Sequence, residues 1–203
     1  MNEKFYSLPE EKRQRIINAG FRVFSQNSYK KSPMQEIADA AGISKSLLFH
    51  YFLNKKELYL FLWNEAASIT MQYLVKYNCY EPTDLFEMME RGMRAKIQIM
   101  YHYPDMAFFA IKAFYEKDPE ISRAIQKSYK HFFGLKANDA LARINPDDFI
   151  PDLDIQMMYR EMYLASEGYL WEIIQRGAVL DAETLEEDFN QMLAFWKKIY
   201  LKK

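Results

Sequence analysis

From residue 10 to residue 200 the apolar positions recur at three- and four-residue intervals, the period of helices that bury one face. Ile16, Ile17, Gly20, Val23 and Phe24 share a face behind Ser7-Leu8-Pro9-Glu10, which reads as a capping box with Ser7 as N-cap. Ser32-Pro33-Met34-Gln35 repeats the device, with Pro33 at the first helical position, and opens a short helix that Gly42 ends. Ser44 caps a third helix running to His50 or Tyr51. Asn54-Lys55-Lys56-Glu57 is a further box, at the start of a long helix over 55–78. Helices follow over 83–102, 105–116, 119–144, 153–176 and 184–201. Asp118-Pro119 and Thr184-Leu185-Glu186-Glu187 mark starts, Gly177 marks a stop, and 145–151 is a loop by composition. The pattern predicts an all-α fold of about nine helices.

Composition narrows the class. Six glycines and seven prolines in 203 residues are few for a turn-rich β protein. Cys79 stands alone, so no internal disulfide or cysteine-based zinc site is available, and a buried thiol is expected. Residues 1–9 lack the apolar stretch of a secretory signal, and nowhere do roughly 18 apolar residues run uninterrupted. A cytoplasmic protein without a membrane partner is expected. The three histidines, 50, 102 and 131, have no metal-ligand spacing. The chain also lacks HExxH, GxSxG, GxGxxG and the phosphate-binding P-loop pattern. Neither an enzyme, a metal nor a cofactor is expected.

Charge changes the picture once it is divided. The net charge of −1 argues against a nucleic-acid partner, which usually calls for a basic excess. Yet residues 1–60 hold ten basic and six acidic side chains, a net +4, and the remaining residues carry −5. A basic head precedes an acidic body.

The head contains Met34–Asn54, MQEIADAAGISKSLLFHYFLN. Ile37 and the small Ala38 lie on the first short helix, and Gly42 allows a turn with positive φ. Ile43, Leu48 and Tyr51 are positioned to bury the second short helix. With caps at both ends and an amphipathic helix before it, this is a helix-turn-helix. The start of its second helix offers Ser44, Lys45, Ser46 and Leu47 to a duplex.

The segment IADAAGISKSLLFHYFLNKKELY resembles the signature of the TetR (tetracycline-repressor-like) family of transcriptional regulators. The likeness is specific over roughly residues 10–60, and beyond them it holds in helix count and order. It implies a DNA-binding domain over 1–54 and a ligand-binding and dimerisation domain over 55–203. It also implies a homodimer on palindromic double-stranded operator DNA, a repressor released by a small-molecule effector. By position the resemblance brings Gln35, Lys45, Ser46, Leu47, Phe49, His50 and Lys55 to the DNA. Gln35 suits either a bidentate contact to adenine or the capping box with Ser32. Two positions depart from the pattern: Ser46 replaces a usual glycine, and Leu47 a small polar residue.

The body is rich in Met, Tyr and Phe, which suits either an ordinary core or an adaptable pocket for an apolar or aromatic ligand. Pocket candidates are Met93, Ile97, Met100, Tyr103, Phe109, Tyr129, Phe133, Tyr159 and Tyr163. Glu161 or Glu167, if turned inward, would favour a cationic effector; otherwise each is solvated or salt-bridged. The last two helices carry more apolar surface than one protomer absorbs. Trp171, Phe189, Met192, Phe195 and Trp196 are the expected dimer interface. A DNA-binding architectural or division-linked factor of the same fold without ligand control is the alternative.

Overall fold

The computed structural model describes residues 3–177 and 181–203, and for 130–140 the backbone alone. Among the described residues there are ten α-helices and no strand. They are α1 (Glu3–Tyr6), α2 (Glu10–Gln26), α3 (Met34–Ala40), α4 (Lys45–Tyr51), α5 (Lys55–Lys76), α6 (Leu85–His102), α7 (Met106–Phe114), α8 (Pro119–Leu141), α9 (Ile155–Arg176) and α10 (Ala182–Tyr200). The all-α expectation and the nine expected helices hold among the described residues; α1 is the addition. Its four residues are too few for a periodicity to show, but Phe5 is buried against Phe52 and Phe61, with ring centroids 5.0 and 5.2 Å away.

Three caps differ from the expected ones. Ser7 is not the N-cap of α2; its hydroxyl donates to the Lys4 carbonyl at 2.9 Å, at the end of α1, and Pro9 takes the cap position. The Ser32 hydroxyl likewise turns back, to the Ser28 carbonyl at 3.0 Å, and Pro33 is the N-cap of α3 rather than its first residue. Thr184 lies inside α10. Asp181 is the cap, accepting the Thr184 N–H at 2.8 Å and its hydroxyl at 2.7 Å. Of the three helices only α10 gains a substitute side-chain cap; Pro9 and Pro33 make no side-chain cap bond, the two serine hydroxyls donating to carbonyls upstream.

The chain divides into two compact units. The first comprises Met1–Thr70 and His102–Phe132, the second Met71–Tyr101 and Phe133–Lys203. In the first, α2 and α5 approach closely at Gly20, and α7 closes an aromatic core. Phe24 and Phe109 pack on Tyr59, at 4.7 and 5.2 Å between centroids, and Phe21 packs on Phe109 at 5.2 Å. Such pairs each add about 0.5–1.5 kcal/mol beyond the area they bury. Burial pushes the Tyr59 phenol up from its ordinary value, with the Glu116 carboxylate adding to the shift. Gln14 and Asn18 of α2 donate to the His102 carbonyl at 3.3 and 3.0 Å.

The second unit is centred on Leu85, Phe86, Met93, Ile97, Met158, Met162, Phe189 and Trp196. Phe149 and Leu201 form an isolated antiparallel bridge, flanked by Ile150 N–H to Tyr200 O at 3.0 Å and Lys202 N–H to Asp148 O at 2.9 Å. Cys79 is buried, which raises its thiol pKa and makes the reactive thiolate scarcer.

Candidate nucleic-acid interface

The turn between α3 and α4 follows from backbone chemistry. Gly42 has φ +64°, the left-handed conformation that glycine adopts without a Cβ penalty. Ile43 N–H donates to Ala38 O and Gly42 N–H to Asp39 O, both at 3.0 Å, which is a Schellman ending for α3. Ser44 then starts α4 by accepting the Leu47 N–H at 3.1 Å. Leu48 and Tyr51 are buried beneath the helix, while Ile43 is half-buried, less deeply set than expected. This anchoring turns Ser44, Lys45, Ser46, Phe49 and His50 outward and leaves Leu47 half-exposed. At about 1.5 Å per residue, the seven-residue α4 is roughly 10 Å long.

The flanking residues are engaged within the protein. Gln35 is exposed, and its Nε2 donates to Asp39 Oδ1 at 2.8 Å instead of joining a capping box. Glu57 Oε2 accepts the Leu53 N–H at 2.8 Å, and Asn54 caps α5 through the Glu57 N–H at 2.9 Å. Lys55 is half-buried: its Nζ donates to the carbonyls of Lys30 and Ser32 at 3.1 and 3.4 Å and lies 4.9 Å from the Tyr29 ring centroid. Lys55, expected at the DNA, is thus also the tie between the α2–α3 loop and the start of α5. Residues 16–61 match the model of the family described as bacterial regulatory proteins, tetR family.

The match places the head of this chain, and no more of it, in likeness to the tetR family.

Over 84 residues, 41% of this chain, it is 29% identical to the HTH-type transcriptional regulator AcrR of Shigella flexneri, and the match spans 39% of that protein. The chain therefore aligns with well under half the length of this curated relative. The fold is similar to that of a TetR family transcriptional regulator from Chloroflexus aurantiacus, with TM-score 0.65 and 24% identity, over 100% of this chain and 99% of that one. It is also similar to that of the regulator FadR from Bacillus subtilis in complex with stearoyl-CoA. There the TM-score is 0.60 and the identity 17%, over 88% of this chain and 96% of that one.

The pocket candidates fall into both compact units. Phe109 is fully buried in the first unit, Tyr103 packs on Phe21 and Tyr129 on Phe114. Met93 and Ile97 are buried in the core of the second unit, with Met100 and Tyr159 packed against it. Tyr163 is 45% exposed. The side chain of Phe133 lies outside the described residues. Two clefts of the second unit are lined by other side chains. One, of about 300 Å³, has Leu74, Cys79, Tyr80 and Arg143 in its wall. The other, of about 490 Å³, has Asp84, Asp147 and Lys202. Glu161 is exposed and accepts the Tyr200 hydroxyl at 3.2 Å, so it does not turn inward. Glu167 is half-buried.

The apolar surface of the last two helices is also redistributed. Phe189 and Trp196, expected at a dimer interface, are buried in the second unit's own core, because α10 turns that stripe toward α6 and α9 residues. Met192 is half-buried against the same core. Trp171 and Phe195 are exposed, at 36% and 61%, as are Leu164 and Ile199. The last two carried no expectation from sequence, although their periodicity relative to Trp171 and Phe195 was available.

Proposed function

We propose that this chain is a DNA-binding transcriptional regulator that acts as a homodimer on a palindromic duplex operator. It is a repressor, released when a small apolar or aromatic effector occupies the helices beyond the head. The observation that carries the DNA reading is the outward face of α4, Ser44, Lys45, Ser46, Phe49 and His50, on a helix held by the fully buried Leu48. Such a face fits a major groove about 12 Å wide. Lys45 and Ser44 meet phosphates, Ser46 and His50 meet base edges, and Leu47 touches a thymine methyl. This helix has little polar equipment, so much of the affinity is electrostatic and falls steeply with salt.

Exposed Trp171, Leu164, Phe195 and Ile199 support the dimer. Pairing α9 and α10 with their copies across a two-fold axis buries these side chains in a four-helix bundle. The two heads then reach half-sites about one helical turn of DNA apart. The effector reading draws support from the stearoyl-CoA complex of the FadR of like fold. Effector and operator then oppose each other by equal factors. The solid packing of Met93, Ile97 and Phe109 favours a second reading, DNA binding without ligand control.

Selection of duplexes from a random pool tests the first point. Recovery of a palindrome is expected, with affinity reduced at least about tenfold, some 1.4 kcal/mol, by Lys45→Glu. Failure to recover any duplex sinks the DNA reading. Titration with stearoyl-CoA and with aromatic cations tests the second. Operator affinity unmoved by a compound that calorimetry shows to be bound leaves the reading without ligand control.

A further inference from the structure

We propose that the acidic turn joining α7 to α8 is an internal competitor for the DNA backbone, occupying two lysines that border the helix-turn-helix; this rests on the DNA-binding reading above. Three alternate residues, two in the turn and Glu120 in the first turn of α8, direct carboxylates at the head. Glu116 Oε2 accepts the Tyr29 N–H at 3.0 Å, Asp118 Oδ2 lies 3.6 Å from Lys30 Nζ, and Glu120 Oε2 lies 2.8 Å from Lys56 Nζ. Lys30 is in the loop that enters α3, and Lys56 is in the first turn of α5, just after α4. The two cations thus stand on the segments by which the chain enters and leaves the motif. Lys55, bonded to the carbonyls of Lys30 and Ser32, clasps these segments together. The acidic turn faces one tied assembly.

The magnitudes decide what the pairs do. Lys30 and Glu120 are 75% and 73% exposed, and the Lys56 side chain is 42% exposed. Exposed pairs of this kind add little to folding. They matter to a polyanion. A duplex presents a phosphate about every 1.7 Å, and a protein cation gains affinity by releasing the counterions condensed there. A lysine already paired with a carboxylate releases them at the cost of a carboxylate that must be resolvated. Asp118 is fixed in this role, since its Oδ1 accepts the Glu120 and Ile121 N–H groups at 3.1 and 3.3 Å as the cap of α8. The reach of the turn toward Lys30 and Lys56 therefore follows α8. Withdrawal of the turn frees two cations beside α4.

Asp118→Asn with Glu120→Gln tests this, because asparagine keeps the cap and glutamine the shape while both charges go. Fluorescence anisotropy of full-length protein on a random-sequence duplex of about 30 base pairs, from about 50 to 200 mM salt, reads the result. The variant is expected to bind about three- to tenfold tighter at low salt, with a log–log salt slope steeper by about one to two. Adding Lys30→Ala and Lys56→Ala abolishes the gain. Equal affinity and equal slope for variant and wild type overturn the proposal. Duplex binding by the variant alone supports it. If neither protein binds any duplex, it falls together with the DNA reading, and wild-type binding weakened by Lys45→Glu isolates failure of the turn alone. Melting curves accompany both proteins, and Glu120→Gln alone replaces a double variant that melts early, with a gain of about half on a log scale expected and its absence decisive against the proposal.

Discussion

Gly20 of α2 and Leu62 of α5 meet so closely that a Cβ on Gly20 would lie 2.5 Å from Leu62 Cδ1. Leu62 is fully buried, so its branch has little room to yield. Gly20→Ala therefore overpacks the contact, at about 1–3 kcal/mol, against a helix-propensity gain of about 1 kcal/mol. The net expectation is a melting temperature lower by a few degrees. In a Leu62→Ala background the same change becomes neutral or stabilising. Thermal melts of the four proteins check this, and additive losses would contradict it.

Neighbouring residues on α4 separate folding from binding. Leu48 is fully buried and Phe49 is 40% exposed. Leu48→Ala is expected to cost about 2–5 kcal/mol of stability, as a cavity does. Phe49→Ala leaves stability within about 0.5 kcal/mol and weakens duplex binding instead. Denaturant unfolding beside anisotropy distinguishes the two.

Phe195 and Trp196 are adjacent in sequence, yet one is exposed and the other buried. Phe195→Glu is expected to give a folded monomer by sedimentation, with a melting curve that depends less on protein concentration. Trp196→Ala destabilises the fold by about 3–5 kcal/mol regardless of assembly. A dimer that survives Phe195→Glu together with Trp171→Glu would move the interface elsewhere.

Tyr169 donates its hydroxyl to Asp188 Oδ2 at 2.6 Å, and burial together with this carboxylate pushes the phenol up to about 12. In the unfolded chain a tyrosine ionises near its ordinary value of about 10. The stabilisation is therefore complete below about pH 10 and is lost as pH rises toward 12, because the unfolded phenol releases its proton first. Ultraviolet titration of tyrosine should show a late component, to which Tyr59 also contributes, that shrinks by one tyrosine in Tyr169→Phe. A late component unchanged by Tyr169→Phe would mean that the bond does not hold in solution.

The helix-turn-helix was legible because its signals are local: Gly42, Ser44 and Asn54 act on backbone groups within five residues. Caps misled where the hydroxyl had a rival upstream, as for Ser7 and Ser32. Periodicity identified Phe109, Phe189 and Trp196 as apolar positions with a buried role but carried no information on what each would pack against. The acidic turn was invisible for a related reason. Glu116 and Tyr29 are 87 residues apart, and the alternation Glu116, Asp118, Glu120 looks like any solvated surface until Lys30 and Lys56 stand opposite.

The packing of Phe109 on Phe21, Phe24 and Tyr59 bears on heredity as well as stability. A segment ending at residue 54 would leave with half of this aromatic cluster and abandon the other half. On the DNA-binding reading, recombination that grafts a foreign specificity onto this chain must therefore carry the start of α5 and α7 along with α2–α4, or stay within α4 itself. Exchange of the few outward residues of α4 is the less disruptive route, which makes point substitution, rather than shuffling of heads, the accessible path by which such a protein acquires a new target.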